Sequence, residues 1–187
     1  MCMYKSDDSG ELKAFHKTHY LARAVGGVGL IIVEATAVEP KGRISDADLG
    51  LWEDSQIIQH KELNEDIHFF GAKTAIQIAH AGRKSTVKDT TPIAPSVIAF
   101  SNEEPFKIPI SASLEDIKNI KELFVKTAIR AKSANYDAIE LHAAHGYLLC
   151  EFLSPLSNTR EDIYGGSLEN RCRLVLEIAK EIKQKVD

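Results

Sequence analysis

Apolar residues along the chain follow two alternating patterns, one typical of helices and one typical of buried strands. A helix-like spacing covers Ala14 to Val25, and the pair Gly26-Gly27 ends it. Val28 to Val33 is then an unbroken apolar run, which predicts a strand covered on both faces. The chain therefore begins with a loop, a helix and a strand.

The same order of helix and strand occurs twice more. Asp54 to Phe70 predicts a second helix, and Ala72 to Ile78 predicts a second strand. Ser113 begins a third helix, with Asp116 at the spacing of a capping box. Ala138 to Leu141 is short and apolar enough for a third buried strand, and a fourth helix closes the sequence.

Helices that alternate with apolar strands predict parallel strands joined by helical crossovers. Polar residues follow each strand, namely Glu34, Thr36, Gln77, His80, His142 and His145. In a βα barrel these carboxyl ends form the active-site face. A doubly wound sheet is the alternative, but no Gly-rich phosphate turn follows the first strand. The pattern therefore favours an α/β fold of the (β/α)8 TIM-barrel family.

The number of strands is too small for a closed barrel. Three or four strands are recognisable in 187 residues, whereas a closed barrel takes about 250 residues. We therefore expect residues 1–187 to form one partial barrel domain. Such a half leaves strand edges and apolar side chains uncovered.

Composition excludes several classes of partner. The chain is 44% hydrophobic and 27% charged, as in ordinary soluble proteins. A net charge of -4 with interspersed signs favours neither nucleic acid nor an anionic membrane. No signal peptide is recognisable, so we expect a cytoplasmic protein. The three cysteines have no metal-ligand spacing and are expected to be free thiols.

His142 and His145 follow the third strand, and Tyr147 lies two residues further on. The histidines are open to three interpretations. They are buried structural residues, or a zinc pair, or two N–H donors that stabilise negative charge on one substrate carbonyl oxygen. Their i, i+3 spacing, with no matching carboxylate or Cys, argues against zinc. Tyr147 is either a packed aromatic residue or a proton donor to the substrate.

The chain contains a series of characteristic motifs. The motifs are Met1-Cys2-Met3-Tyr4, His16-x-x-His19-Tyr20, the run from Val28 to Ala35, Gln77-x-Ala79-His80-Ala81-Gly82-Arg83, His142-Ala-Ala-His145-Gly-Tyr147, and the long string from Phe152 to Arg171. Together they resemble the Old Yellow Enzyme family of FMN-dependent NAD(P)H:flavin oxidoreductases, in its thermophilic-like bacterial subgroup. The resemblance extends over essentially the whole chain.

The resemblance implies a (β/α)8 barrel that holds FMN non-covalently, with NAD(P)H as reductant and an electrophilic alkene as the small-molecule substrate. Residues that match the family's flavin contacts are Met1, Cys2, Ala35, Gln77 and His142. Residues that match its substrate contacts are Tyr4, His142 and His145. Tyr147 matches the proton donor, and the Cys2 thiol is expected to tune the flavin potential.

The resemblance implies that residues 1–187 lack most of the first barrel strand and strands five to eight. Several parts of the family pattern therefore have no match in this chain. These are a Ser-Pro flavin contact, an Arg near the flavin, and the late phosphate-binding loops. Because phosphate contacts anchor a mononucleotide, we expect this polypeptide alone neither to close nor to hold FMN well. The alternative function is therefore a non-catalytic half-barrel, and a full-length relative is expected to be a homo-oligomer.

Overall fold

The computed structural model describes residues 2–186, and its centre is a four-stranded parallel sheet in the order β2-β1-β3-β6. The strands are β1 Leu30–Ala37, β2 Leu49–Gly50, β3 Lys73–Ala79, β4 Ile93–Ala94, β5 Ile110–Ser111 and β6 Ala138–Leu141. The helices are α1 Ala14–Val25, α2 Ile57–Phe69, α3 Leu114–Ser133, α4 Leu148–Leu153 and α5 Leu168–Val186. Strands β4 and β5 form a separate two-stranded pair.

Helices connect the three main strands in the predicted order. Helix α2 links β1 to β3, and α3 links β3 to β6. All pairings in the sheet are parallel, so the carboxyl ends of β1, β3 and β6 meet at one face. The loops that leave these strands are therefore brought together, as the sequence predicts.

The helix face and cap predicted for α3 are confirmed. Its inward residues are all buried, namely Ile117, Ile120, Phe124, Ala128 and Ala131. At the start of the helix, the Asp116 N–H donates to Ser113 Oγ over 3.1 Å, and the Ser113 N–H donates to Asp116 Oδ2 over 2.9 Å. This reciprocal pair satisfies two N–H groups that a helix end otherwise leaves without partners.

The expectation that β1 is covered on both faces is wrong. Leu30 and Ile32 are 48% and 47% exposed, whereas Ile31, which lies between them, and Val33, which follows Ile32, are buried. Successive side chains of a strand point to opposite faces, and no described element covers the face that carries Leu30. The exposed Ala138 shows that β6 is not fully buried either.

Helix α4 is absent from the sequence-based prediction, because its six residues are too few to establish a helical period. It begins directly after Tyr147. Among the residues described, no helix is both long and apolar enough to cross a membrane.

Candidate functional site

A pocket of about 370 Å³ lies where the loops after β3 and β6 meet the amino-terminal segment. Six side chains line it: Cys2, Tyr4, Gln77, His142, His145 and Tyr147. All six are candidate site residues of the sequence analysis. Residues that are distant in sequence thus meet in one cavity, because parallel strands deliver their carboxyl ends to the same face.

His142 and His145 face each other across a tight turn. His142 Nε2 lies 3.4 Å from His145 Nδ1, and His142 Nδ1 accepts the Ala144 N–H over 3.3 Å. Because Nδ1 accepts this hydrogen bond, a neutral His142 carries its proton on Nε2. Burial, and then the nearby His145, lower the pKa of His142. The lowered pKa favours a neutral His142 imidazole, and its Nε2 faces His145 Nδ1.

The turn has an uncommon backbone conformation. His145 and Gly146 have φ angles of 56° and 73°, in the left-handed region that side-chain-bearing residues rarely adopt. The turn brings the Tyr147 ring perpendicular to His142, with 4.9 Å between ring centroids. Burial, followed by electrostatic interactions with Cys2 and Asp48, raises the pKa of Tyr147. The phenol therefore keeps its proton at neutral pH.

The amino-terminal segment is tied to the strand beside the pocket. The Met3 N–H donates to Glu34 Oε2, and His16 Nε2 lies 3.3 Å from Glu34 Oε1. Both Glu34 and His16 are buried. Because Met3 lies between Cys2 and Tyr4, this anchor determines where the two pocket-lining side chains lie.

The Cys2 thiol and the Tyr4 phenol are both protonated at neutral pH. Burial, with the charges of Asp48 and Glu34, raises the pKa of Cys2 to about 11. Burial and the neighbouring Cys2 raise the pKa of Tyr4 to about 12. The backbone of Tyr4 has a φ of 52°, so this segment also holds a residue in the left-handed region.

A β-bulge shapes the wall formed by β1 and β3. Val33 pairs with Ile76 and Thr36 pairs with Ile78, so Glu34 and Ala35 together lie opposite the single residue Gln77. The Gln77 side-chain amide donates to Glu140 Oε1 over 2.6 Å. Bulges of this kind are frequent beside active sites, where they redirect side chains.

One predicted site residue lies elsewhere, and a second is outside the part of the chain that the structure describes. Ala35 is buried in β1 and does not line the pocket. Met1 lies outside the described residues. Within residues 2–186, no group of three or more His, Cys, Asp or Glu side chains could hold a metal ion.

Three residues that support the site were not predicted to do so. Glu34 and His16 anchor the amino-terminal segment, and Lys84 contacts the turn that follows β6. Glu34 lies at the carboxyl end of a predicted strand, and this position could have indicated a role at the site. For Lys84 the sequence offered no such indication, because its hydrogen-bond partner, His145, is 61 positions away.

Comparison with known proteins places these observations in a family. A model of the NADH:flavin oxidoreductase / NADH oxidase family matches residues 1–187. The chain is similar to an NADPH dehydrogenase of Bacillus licheniformis, with 55% identity over 185 residues, covering 98% of this chain and 54% of that protein.

Two solved structures are also similar. One is morphinone reductase in complex with tetrahydroNAD, with 30% identity and a TM-score of 0.92, covering 100% of this chain and 55% of that one. The other is Old Yellow Enzyme from Pichia sp. AKU4542, with 29% identity and a TM-score of 0.92, covering 100% of this chain and 51% of that one.

The chain thus spans about half the length of the relatives that it matches. The predicted fold class, a TIM barrel of which about half is present, is confirmed by these superpositions. The predicted resemblance to Old Yellow Enzymes is confirmed as well. Since the family model extends over every residue, the chain belongs to the NADH:flavin oxidoreductase / NADH oxidase family.

Proposed function

We propose that the protein is an FMN-dependent oxidoreductase that takes hydride from NAD(P)H and reduces the activated C=C bond of enones and similar electrophilic alkenes. The observation that carries the proposal is the convergence of six side chains on one pocket at the carboxyl ends of parallel strands. The names of the relatives support it, since one is an NADPH dehydrogenase and another is a reductase in complex with tetrahydroNAD.

The chemistry of the pocket fits the ring system of a flavin. Its volume of about 370 Å³ lies within the range of small-molecule sites. Phenol and imidazole rings offer flat apolar faces, and the Gln77 carboxamide offers both a donor and an acceptor for ring edges. Cys2, Gln77 and His142 would lie beside the ring, and Ala35 and Met1 remain predicted contacts. When bound, FMN supplies the hydride chemistry.

The two histidines have the properties needed to bind a carbonyl oxygen. A neutral His142 carries a proton on Nε2, and His145 is exposed at the mouth of the turn. N–H donors that converge on a carbonyl oxygen stabilise the negative charge that develops there during reduction. We assign this role to both histidines, and we assign to Tyr4 a further contact from its protonated phenol.

Tyr147 is the proposed proton donor. Its raised pKa keeps the phenol protonated, and its ring contacts the ring of His142. A phenol at this position can give a proton to the substrate carbon next to the carbonyl group, opposite the carbon that receives hydride. Reduction of the alkene then ends with one hydride and one proton added across the double bond.

A non-catalytic half-barrel is the second candidate function. None of the six side chains that line the pocket is a Lys or an Arg, so the pocket offers no cation to the phosphate of FMN. Exposed Leu30 and Ile32 also leave an apolar sheet face open to water. Both features favour weak retention of FMN by this polypeptide alone.

Titration with FMN separates the two candidates. We expect weak but saturable quenching of flavin fluorescence by the purified chain. Gln77→Ala should weaken binding about tenfold, the effect of losing one buried hydrogen bond. Gln184→Ala, on the exposed face of α5, is the matched control and should have no effect. Absence of saturable quenching at millimolar FMN would support the non-catalytic candidate, and equal binding by the Gln77 variant would contradict the proposed site.

A further inference from the structure

Lys84 connects three separate segments around the pocket. It is the last residue of a 3-10 turn, Gly82–Lys84, that follows β3. Its Nζ donates to the backbone oxygen of His145 over 3.1 Å. The same Nζ lies 4.9 Å from the centroid of the Tyr147 ring and 4.5 Å from that of Phe100. One side chain thus contacts the turn after β6 and the irregular segment that precedes β5.

The turn after β6 requires such support. His145 and Gly146 are both left-handed, and a left-handed conformation at a residue with a side chain persists only where its surroundings hold it. Within the turn, the Tyr147 N–H bonds to the Ala144 oxygen. The contact from Lys84 adds a partner from the 3-10 turn that follows β3, and it binds the carbonyl of the left-handed residue itself.

The residue before Lys84 holds the third segment. Arg83 Nη1 donates to the backbone oxygens of Ile98 and Ala99 over 3.2 and 3.4 Å. Phe100 follows directly and packs edge-on against Phe106, with 4.7 Å between ring centroids. The 3-10 turn therefore fixes residues 98–100 on one side and the turn of His145 on the other.

We propose that Lys84 is a positioning residue that holds the His145–Tyr147 turn in its pocket-facing conformation and clamps it to the segment around Phe100. It acts through the hydrogen bond to the His145 carbonyl and through its charge above the Tyr147 ring. The inference rests on the proposed roles of His145 and Tyr147, but the contacts of Lys84 exist without any ligand. It can therefore be tested on the chain alone.

Fluorine NMR of the chain labelled with 3-fluorotyrosine provides the readout, because this phenol titrates at lower pH than tyrosine. The Tyr147→Phe variant identifies the Tyr147 signal. A cation near the ring favours the phenolate, whereas Cys2 and Asp48 oppose it. Lys84→Met removes the cation that lies 4.9 Å from the ring centroid, and should therefore raise the Tyr147 titration midpoint. The amide signal of His145 should shift in the same variant.

Two further variants separate the hydrogen bond from the charge. Lys84→Gln keeps a donor but loses the charge, so we expect the midpoint to rise with a smaller change at His145. Lys84→Arg should restore both signals, and the exposed Lys88→Met is the matched control with no effect. If Lys84→Met unfolds the chain, the Tyr147 titration midpoints of Lys84→Gln and Lys84→Arg are compared instead. A higher midpoint in Lys84→Gln supports the proposal, and equal midpoints contradict it. Unchanged Tyr147 and His145 signals in both the Met and Gln variants would overturn the proposal, whatever the FMN affinity.

Discussion

Replacement of Glu151 by Gln should stabilise the folded chain, and increasingly so as the pH rises. Glu151 lies in α4, one turn after Tyr147, and is 1% exposed. Its Oε1 accepts the Arg83 N–H over 2.9 Å, while its Oε2 has no hydrogen-bond partner. Burial raises the pKa of this carboxyl group to about 8, against 4.5 in the unfolded chain.

The magnitude follows from proton linkage. Between pH 4.5 and about 8 the unfolded chain has released the Glu151 proton, whereas the folded chain retains it. The folded state binds more protons in this interval, so the free energy of unfolding falls as the pH rises, by about 1.4 kcal/mol per pH unit. The total loss over the interval is about 5 kcal/mol, of which about 3 kcal/mol is already lost at neutral pH.

Glutamine removes this titration and preserves the acceptor for Arg83. Urea unfolding between about pH 5 and about pH 8 measures the effect as the difference between Glu151→Gln and wild type, which cancels the titration of other groups. We expect the variant to gain on wild type by about 1.4 kcal/mol per pH unit. Glu169→Gln, at an exposed position of α5, is the matched control. Parallel stability curves for Glu151→Gln and wild type would refute the reasoning.

Three further predictions concern the site and its supporting sheet. Alanine at His142 or at His145 should weaken binding of phenolic or enone ligands about tenfold, as measured by difference absorbance, while FMN binding persists. Full ligand affinity in both variants would exclude a role of the two histidines in binding the carbonyl oxygen. Tyr147→Phe should slow the alkene half-reaction about a hundredfold and leave flavin reduction unchanged in stopped-flow measurements, because only the former needs its proton. Burial raises the pKa of Asp137, but hydrogen bonds from the Lys73 side chain, the Thr74 N–H and His68 outweigh this effect. Together they hold the pKa of Asp137 below its usual value of 3.8. Asp137→Asn should therefore destabilise the chain by about 1 kcal/mol at neutral pH in urea unfolding, and the difference should disappear in acid, where wild-type Asp137 becomes protonated.

The sequence was sufficient for the order of elements and for most of the pocket. Long helices can be recognised from the spacing of their apolar residues and from their capping residues, such as Ser113 and Asp116 of α3. The convergence of Gln77 with His142 follows from parallel strands alone, since their carboxyl ends must share a face. These features depend on local pattern and on topology, which a single sequence contains.

Other features depend on packing that a single sequence does not reveal. Leu30 and Ile32 look like core residues, yet their exposure is decided by which elements cover that sheet face. The contact of Lys84 with the His145 carbonyl joins residues 61 positions apart and has no motif. The bulge opposite Gln77 likewise depends on the pairing register of two strands.

The most direct test of the account is an NMR titration of the isotope-labelled chain with FMN, up to about millimolar concentration so that weak binding is detected. The account predicts saturable shifts that are confined to the pocket, at Cys2, Gln77, His142 and Tyr147. Shifts that cluster elsewhere, or no saturable shift at these residues, would contradict a flavin site at the carboxyl ends of the strands.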